Sequence, residues 1–224
     1  MSMEQLDSIA ERIHQSFETR TAARDRALSD ARTLTRHCAN AIRAVHRDER
    51  ELALENLEQA RKLVNALQTS LAEYPDLYYA GYTQDALKEF GEASIVFALV
   101  GQDALPTPEA LRLENSTYLN GLAEAAGELR RRCLDILRHG YSQEAERLLG
   151  NMDDIYSILI TMDYPDAITG GLRRQTDMVR SVTERTRGDL TLSLRQQQLE
   201  KSLSRLESRL KAEGQRANED DSRI

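Results

Sequence analysis

From Met3 to about Arg47 the chain contains neither proline nor glycine, and apolar residues recur there at helical spacing: Leu28, Ala31, Leu34, Cys38, Ala41, Ile42 and Val45. A breaker-free run of that length, repeating every three to four residues, is satisfied by one long helix that buries a single stripe. The remaining composition agrees. Among 224 residues there are 11 Gly, 4 Pro, 3 Phe and no Trp, too few turn formers and aromatics for a sandwich or barrel. The expected fold is an all-α, single-domain bundle of six to seven long helices. It occupies residues 1–194, with a helical extension and polar tail over 195–224.

Punctuation divides the rest of the chain. Asp48 followed by Glu51 reads as a capping arrangement for a second helix carrying Leu52, Leu54, Leu57, Leu63, Val64, Leu67 and Leu71. Tyr74-Pro75-Asp76 breaks it, because a residue before proline avoids helical geometry. A third helix is expected from Pro75 or Asp76 to Val100, stopped by Gly101. Residues 101–115, GQDALPTPEALRLEN, read as a surface loop with one short turn. A fourth helix starts at Ser116 and ends at His139-Gly140, and a fifth runs from near Ser142 to before Tyr164-Pro165. Gly170-Gly171 reads as a connector to a last helix, Leu172 to about Leu210. Its end carries Leu199, Leu203, Leu206 and Leu210 at 4-3-4 spacing, a heptad-like seam whose partner is the body or another subunit.

Several chemistries drop out. No segment approaches 18 consecutive apolar residues, and charges stand where a signal peptide would carry its apolar stretch, so a cytoplasmic protein with no membrane partner is expected. Cys38 and Cys133 are too far apart for a redox motif and read as reduced core thiols. His14, His37, His46 and His139 form no pair at zinc spacing. There is no glycine-rich phosphate loop and no nucleophile elbow.

Two patterns remain. With Lys+Arg 30 against Asp+Glu 37 the net charge is −7, so any affinity for phosphate depends on local patches. Arg32, Arg36, Arg43, Arg47 and Arg50 fall within roughly 60° of one another on the first helix at about 100° per residue. Spread over about 27 Å at the helical rise, this stripe either follows a phosphodiester backbone or is a solvated face. The second pattern is acidic. Asp85, Glu89 and Glu92 share one helix face, and Glu124 and Glu128 share another, beside Gly121, which allows close backbone approach. If the two helices face each other, their four glutamates present oxygen ligands suited to Mg²⁺ or Mn²⁺. Otherwise they are helical ion pairs with neighbours such as Arg131 and Arg132. Tyr78, Tyr79 and Tyr82 read either as packing residues or as platforms for unpaired bases.

The segment 118–133, YLNGLAEAAGELRRRC, followed by His139-Gly140-Tyr141, resembles the central motif of the translin and translin-associated factor X (TRAX) family. Tyr78-Tyr79 with 87–93, LKEFGEA, resembles the family's preceding helix. Residues 177–191, DMVRSVTERTRGDLT, resemble the closing motif of its prokaryotic, archaeal-type members. The resemblance spans roughly residues 20–191. It implies a translin-like α-α superhelix assembling into hollow homo-oligomers, usually octamers, that enclose single-stranded RNA or DNA.

TRAX-type subunits carry a Mg²⁺-dependent endoribonuclease site of acidic residues on two helices. Matching that pattern makes Glu89, Glu92, Glu124 and Glu128 the implied catalytic and metal-binding residues. Arg32, Arg36, Arg43 and Arg47 become the implied phosphate contacts. Two departures stand out: Glu124 replaces an aspartate of TRAX from higher organisms, and Gly91 replaces a bulkier residue. A non-catalytic nucleic-acid-binding protein and a helical scaffold recruiting through the leucine seam are the alternatives.

Overall fold

The computed structural model describes residues 3–221, which form nine helices and no strand. Six helices are long: α1 (Met3–His46), α2 (Arg50–Ser70), α4 (Gly81–Gly101), α6 (Asn115–Leu137), α7 (Gln143–Leu159) and α9 (Leu172–Asp221). Three are single turns: α3 (Pro75–Tyr78), α5 (Pro108–Leu111) and α8 (Asp166–Thr169). The all-α bundle expected from the sequence is therefore the observed fold. No described helix is long and apolar enough to cross a membrane.

Small residues set the packing of the first half. Ala23, Ala27, Ala31 and Ala41 of α1 are buried at helical spacing, as are Ala53 and Ala60 of α2, so α2 approaches the second half of α1 closely. Leu34, Leu57, Val64, Leu67 and Phe90 fill the layer between them and α4. A second layer joins α4 to α6, α7 and α9 through Ile95, Val96, Leu129, Leu148, Met152, Leu159 and Val179. Each fully buried leucine contributes about 1.5–3 kcal/mol. Helix α4 belongs to both layers and is buried on nearly every side, and Phe97 and Tyr118 touch both. Cys38 and Cys133 are unpaired and wholly buried, and burial pushes the Cys133 thiol up to about 12.

Local chemistry overrides the expected boundaries at four points. Asp48 does not cap α2. It takes a left-handed conformation (φ 60°) and accepts both arms of the Arg132 guanidinium at 2.7 and 3.1 Å, while Glu49 occupies the cap position without a side-chain bond. Next, the expected single helix over 75–100 is two. Ala80 is extended, and Thr83 Oγ1 and Gln84 Nε2 donate to the carbonyls of Leu77 and Tyr78 (2.8 and 2.9 Å), so side chains replace the continuing helical ladder. Gln102, left-handed at φ 60°, rather than Gly101, ends α4. Finally, α9 runs on to Asp221, where the sequence reads as a polar tail; residues 222–224 lie outside the described residues. The expected boundaries hold better at α7, where Ser142 accepts from Glu144 N–H at 3.1 Å, and at Gly170-Gly171, whose positive φ angles (64° and 82°) turn the chain into α9.

Candidate metal centre

The acids of α4 and α6 meet because a glycine lets the helices touch. A Cβ at Gly121 would stand 2.9 Å from the Lys88 carbonyl oxygen and 3.0 Å from the Glu92 nitrogen, both backbone atoms of α4. Gly91 of α4 faces a different neighbour: a Cβ there would lie 3.1 Å from Leu113 Cδ1, and the helix passes through it unbroken. At this crossing Glu89, Glu92 and Glu124 each present a carboxylate oxygen within 4.8 Å of the others. Three of the four glutamates singled out in the sequence are thus brought together.

The fourth has a different partner. His46 Nε2, at the end of α1, donates to Glu128 Oε2 across 2.5 Å, and Arg131 lies 3.8 Å away. The His46 hydrogen bond, aided by its charge and that of Arg131, holds the Glu128 carboxyl below the ordinary value. Glu128 is still close enough to raise the pKa of both Glu89 and Glu92. Glu124 Oε1 accepts from Lys88 Nζ (2.7 Å) and from Gln175 Nε2 of α9 (3.2 Å).

Glu92 bears the electrostatic cost. Only 8% exposed, it is pushed up to about 8, first by burial and then by Glu89, Glu124 and Glu128. Glu89 rises for the same reasons to a lesser degree, with Lys88 opposing the shift. Burial works against the charge on Lys88, but its hydrogen bond to Glu124 and the surrounding acids outweigh this and raise its pKa. A compact set of carboxylate oxygens short of cations suits a hard divalent ion, which would relieve their mutual repulsion. The extra methylene of Glu124 does not keep it out of the set.

The other candidates lie elsewhere. Arg32, Arg36 and Arg43 on the outer face of α1, and Arg47 just past its end, are exposed about 120–180° around the helix from Cys38, counting about 100° per residue. Cys38, on the buried face of α1, lies near enough to Glu89 and Glu92 for both to help raise its pKa after burial. The stripe and the acidic cluster therefore do not share a face. Arg50 leaves the stripe altogether: it opens α2, pairs with Asp103 at 2.5 Å and lies over the Phe97 ring at 4.3 Å. Asp85 is exposed and outside the cluster. Tyr78 and Tyr82 pack against the core, while Tyr79 is 61% exposed beside a polar cleft of about 550 Å³ that Gln84, Lys88, Asn120 and Gln175 also line.

Sequence reasoning missed the partners of these acids: His46, Lys88 and Gln175. Only Lys88 left a signal, its i,i+4 spacing from Glu92. The His46–Glu128 and Gln175–Glu124 pairs join residues 82 and 51 positions apart.

No protein-family profile matches the chain. It is 30% identical over 194 residues, 86% of each chain, to an uncharacterized protein of Methanocaldococcus jannaschii. Among solved structures it is similar to AfC3PO, found in two structures, one of them a complex with duplex RNA. In the complex the TM-score is 0.76 and the identity 32%, over 82% of this chain and 95% of that one. NeC3PO, solved in its apo form, shares the fold at a TM-score of 0.74 and 19% identity, over 86% of this chain and 99% of that one. The relatedness across most of each chain accords with the motifs of helices α4, α6 and α9: the protein belongs to the translin family, with its archaeal-type members.

Proposed function

We propose that this chain binds RNA and cleaves it at a divalent-cation centre held by Glu89, Glu92 and Glu124, within a homo-oligomer. The observation that carries the proposal is the convergence of three carboxylate oxygens within 4.8 Å on two helices in backbone contact. The relative solved with duplex RNA supports RNA as the polymer and adds duplexes to the single-stranded RNA or DNA expected from the sequence.

The three glutamates would hold Mg²⁺ or Mn²⁺. Such an ion polarises a phosphoryl oxygen and lowers the pKa of a water. The protein's own groups do the rest. Gln175 and Lys88 fix the Glu124 carboxylate through one of its oxygens. His46 fixes Glu128 in its charged form at the edge of the cluster, ready to accept a proton from an attacking water. Glu92, whose carboxyl is pushed up to about 8, would release its proton to solvent on taking up such a cation. The Lys88 ammonium, 20% exposed, stands beside the acids as a counter-charge for a phosphate. Arg32, Arg36, Arg43 and Arg47 would hold phosphates away from the cleavage point, on a surface that a neighbouring strand or copy reaches.

Labelled single-stranded and duplex RNA are incubated with the protein and Mg²⁺, beside a Glu89→Ala/Glu92→Ala variant and an EDTA control. Product from the unaltered protein alone is expected; equal product in all three sinks the nuclease reading. One observation favours a second reading, binding without turnover: Lys88 already neutralises Glu124 at 2.7 Å. Retained RNA binding with no product under Mg²⁺ or Mn²⁺ would select it.

A further inference from the structure

Two helical arms leave the bundle with bare apolar stripes. In α1, residues 3–20 carry Met3, Leu6, Ile9, Ile13 and Phe17 on one face, 39–75% exposed. In α9, Leu192, Leu199, Leu203, Leu206 and Leu210 are 51–68% exposed. The spacing 7-4-3-4 puts every one of these leucines at an a or d position of one heptad frame, with Gln196 the polar residue in that seam. A seam this regular and this exposed is shaped for another helix.

Three features identify that helix. The first is charge. Residues 3–20 hold four acidic and two basic side chains, net −2, whereas residues 192–211 hold five basic and two acidic, net +3. Like arms repel and unlike arms attract. The second is length: at 1.5 Å per residue the α1 arm measures about 27 Å, and the leucine seam from Leu192 to Leu210 spans about the same, although α9 itself runs on to Asp221. The third is direction. α1 enters the bundle where Arg20 pairs with Asp76, beside α3 and the starts of α4 and α6, and ends where His46 meets Glu128 and its carbonyl meets Arg132. α9 starts next to that first pole, where the Thr169 carbonyl, just before it, accepts from Asn120. It leaves past the Arg130–Asp189 and Arg187–Asp153 pairs toward the second pole. The arms therefore project from opposite ends, and one chain cannot pair its own.

We propose that the α9 arm of one copy packs in parallel against the α1 arm of a second copy, joining the chains head to tail. Both helices run from the first pole to the second, so stacking copies pole to pole overlays the arms with the same chain direction. Met3 then lies near the partner's Leu192 and Phe17 near the partner's leucine tip. Such a contact is heterologous, and repeated around a closed ring it leaves no arm bare.

The test links full-length chains covalently without RNA, so it stands apart from the nuclease reading. Ile13→Cys and Leu203→Cys chains carrying different tags are mixed and treated with a short bismaleimide; native Cys38 and Cys133, both wholly buried, stay silent. A mixed-tag dimer is expected. It should be lost when the Leu203→Cys chain also carries Arg205→Glu/Arg209→Glu, and regained when the Ile13→Cys chain also carries Glu11→Lys/Glu18→Lys. Circular dichroism confirms that each variant stays helical. Dimer formed by Leu203→Cys chains alone at or above the mixed yield would show the seam pairing with itself and overturn the proposal. Absence of any cross-linked dimer across Ile9→Cys, Ile13→Cys and Phe17→Cys, each paired with Leu199→Cys, Leu203→Cys or Leu206→Cys, overturns it equally.

Discussion

Glu92 shows at the scale of one residue how a site can be held in readiness at the expense of the fold. In the unfolded chain its carboxyl ionises near 4.5; in the folded protein burial, with Glu89, Glu124 and Glu128, pushes this up to about 8. Between those values the unfolded chain has released a proton that the native state keeps. The stability associated with Glu92 is therefore complete below pH 4.5 and lost as pH rises through about 8. Thermal melts in EDTA should show Glu92→Gln gaining on the unaltered protein as pH rises from 5 to 8. Adding Mn²⁺ at pH 8 should raise the melting temperature of the unaltered protein and not that of Glu92→Gln; an equal rise in both would place the ion elsewhere. Glu128 has the opposite sign. His46 lowers its pKa, so its contribution is present above the ordinary carboxylate range and disappears on acidification.

Between elements, the decisive contact is that of α4 with α6, and two glycines of α6 should respond oppositely to alanine. Gly121→Ala drives a methyl into the α4 backbone, at 2.9 and 3.0 Å, and forces the helices apart. It should cost about 1–3 kcal/mol in urea denaturation and weaken Mn²⁺ binding, because the acids separate with their helices. Gly127 has open space around it, so Gly127→Ala should stabilise by about 0.5–1 kcal/mol and leave ion binding unchanged. Helix α1 supplies a separate element-scale test. If its outer arginines hold phosphates, Arg36→Ala/Arg43→Ala flattens the plot of log K against log salt for RNA binding by about 0.7 to 0.9 for each phosphate that is no longer neutralised; an unchanged slope removes the stripe from the interface.

Over the whole molecule, the two packing layers share α4, and this makes them one cooperative unit. Leu67→Ala in the first layer and Leu148→Ala in the second should each cost about 2–5 kcal/mol. Circular dichroism and tyrosine fluorescence should report the same single urea transition for both; two separated transitions would mean that α4 does not couple the halves. The long breaker-free runs, the prolines after Tyr74 and around residue 107, and the paired glycines at 170–171 made the helical class and most boundaries readable from residue order, because propensity and periodicity act within a few positions of a residue. The acids at i,i+3 and i,i+4 were readable for the same reason, as was the room that Gly121 leaves. Packing was needed to separate the parts of the arginine stripe: Arg50 belongs to the next helix because Asp48 turns the chain there to meet Arg132, 84 residues away. The same holds for the split of Glu128, bound to His46, from the three clustered glutamates, and for the exposure of the α9 leucines, whose spacing suits the body of the protein as well as a second chain. Local rules decide which face of a helix is apolar or acidic. Which partner that face meets depends on contacts between residues tens of positions apart, and these come into being only when the bundle closes.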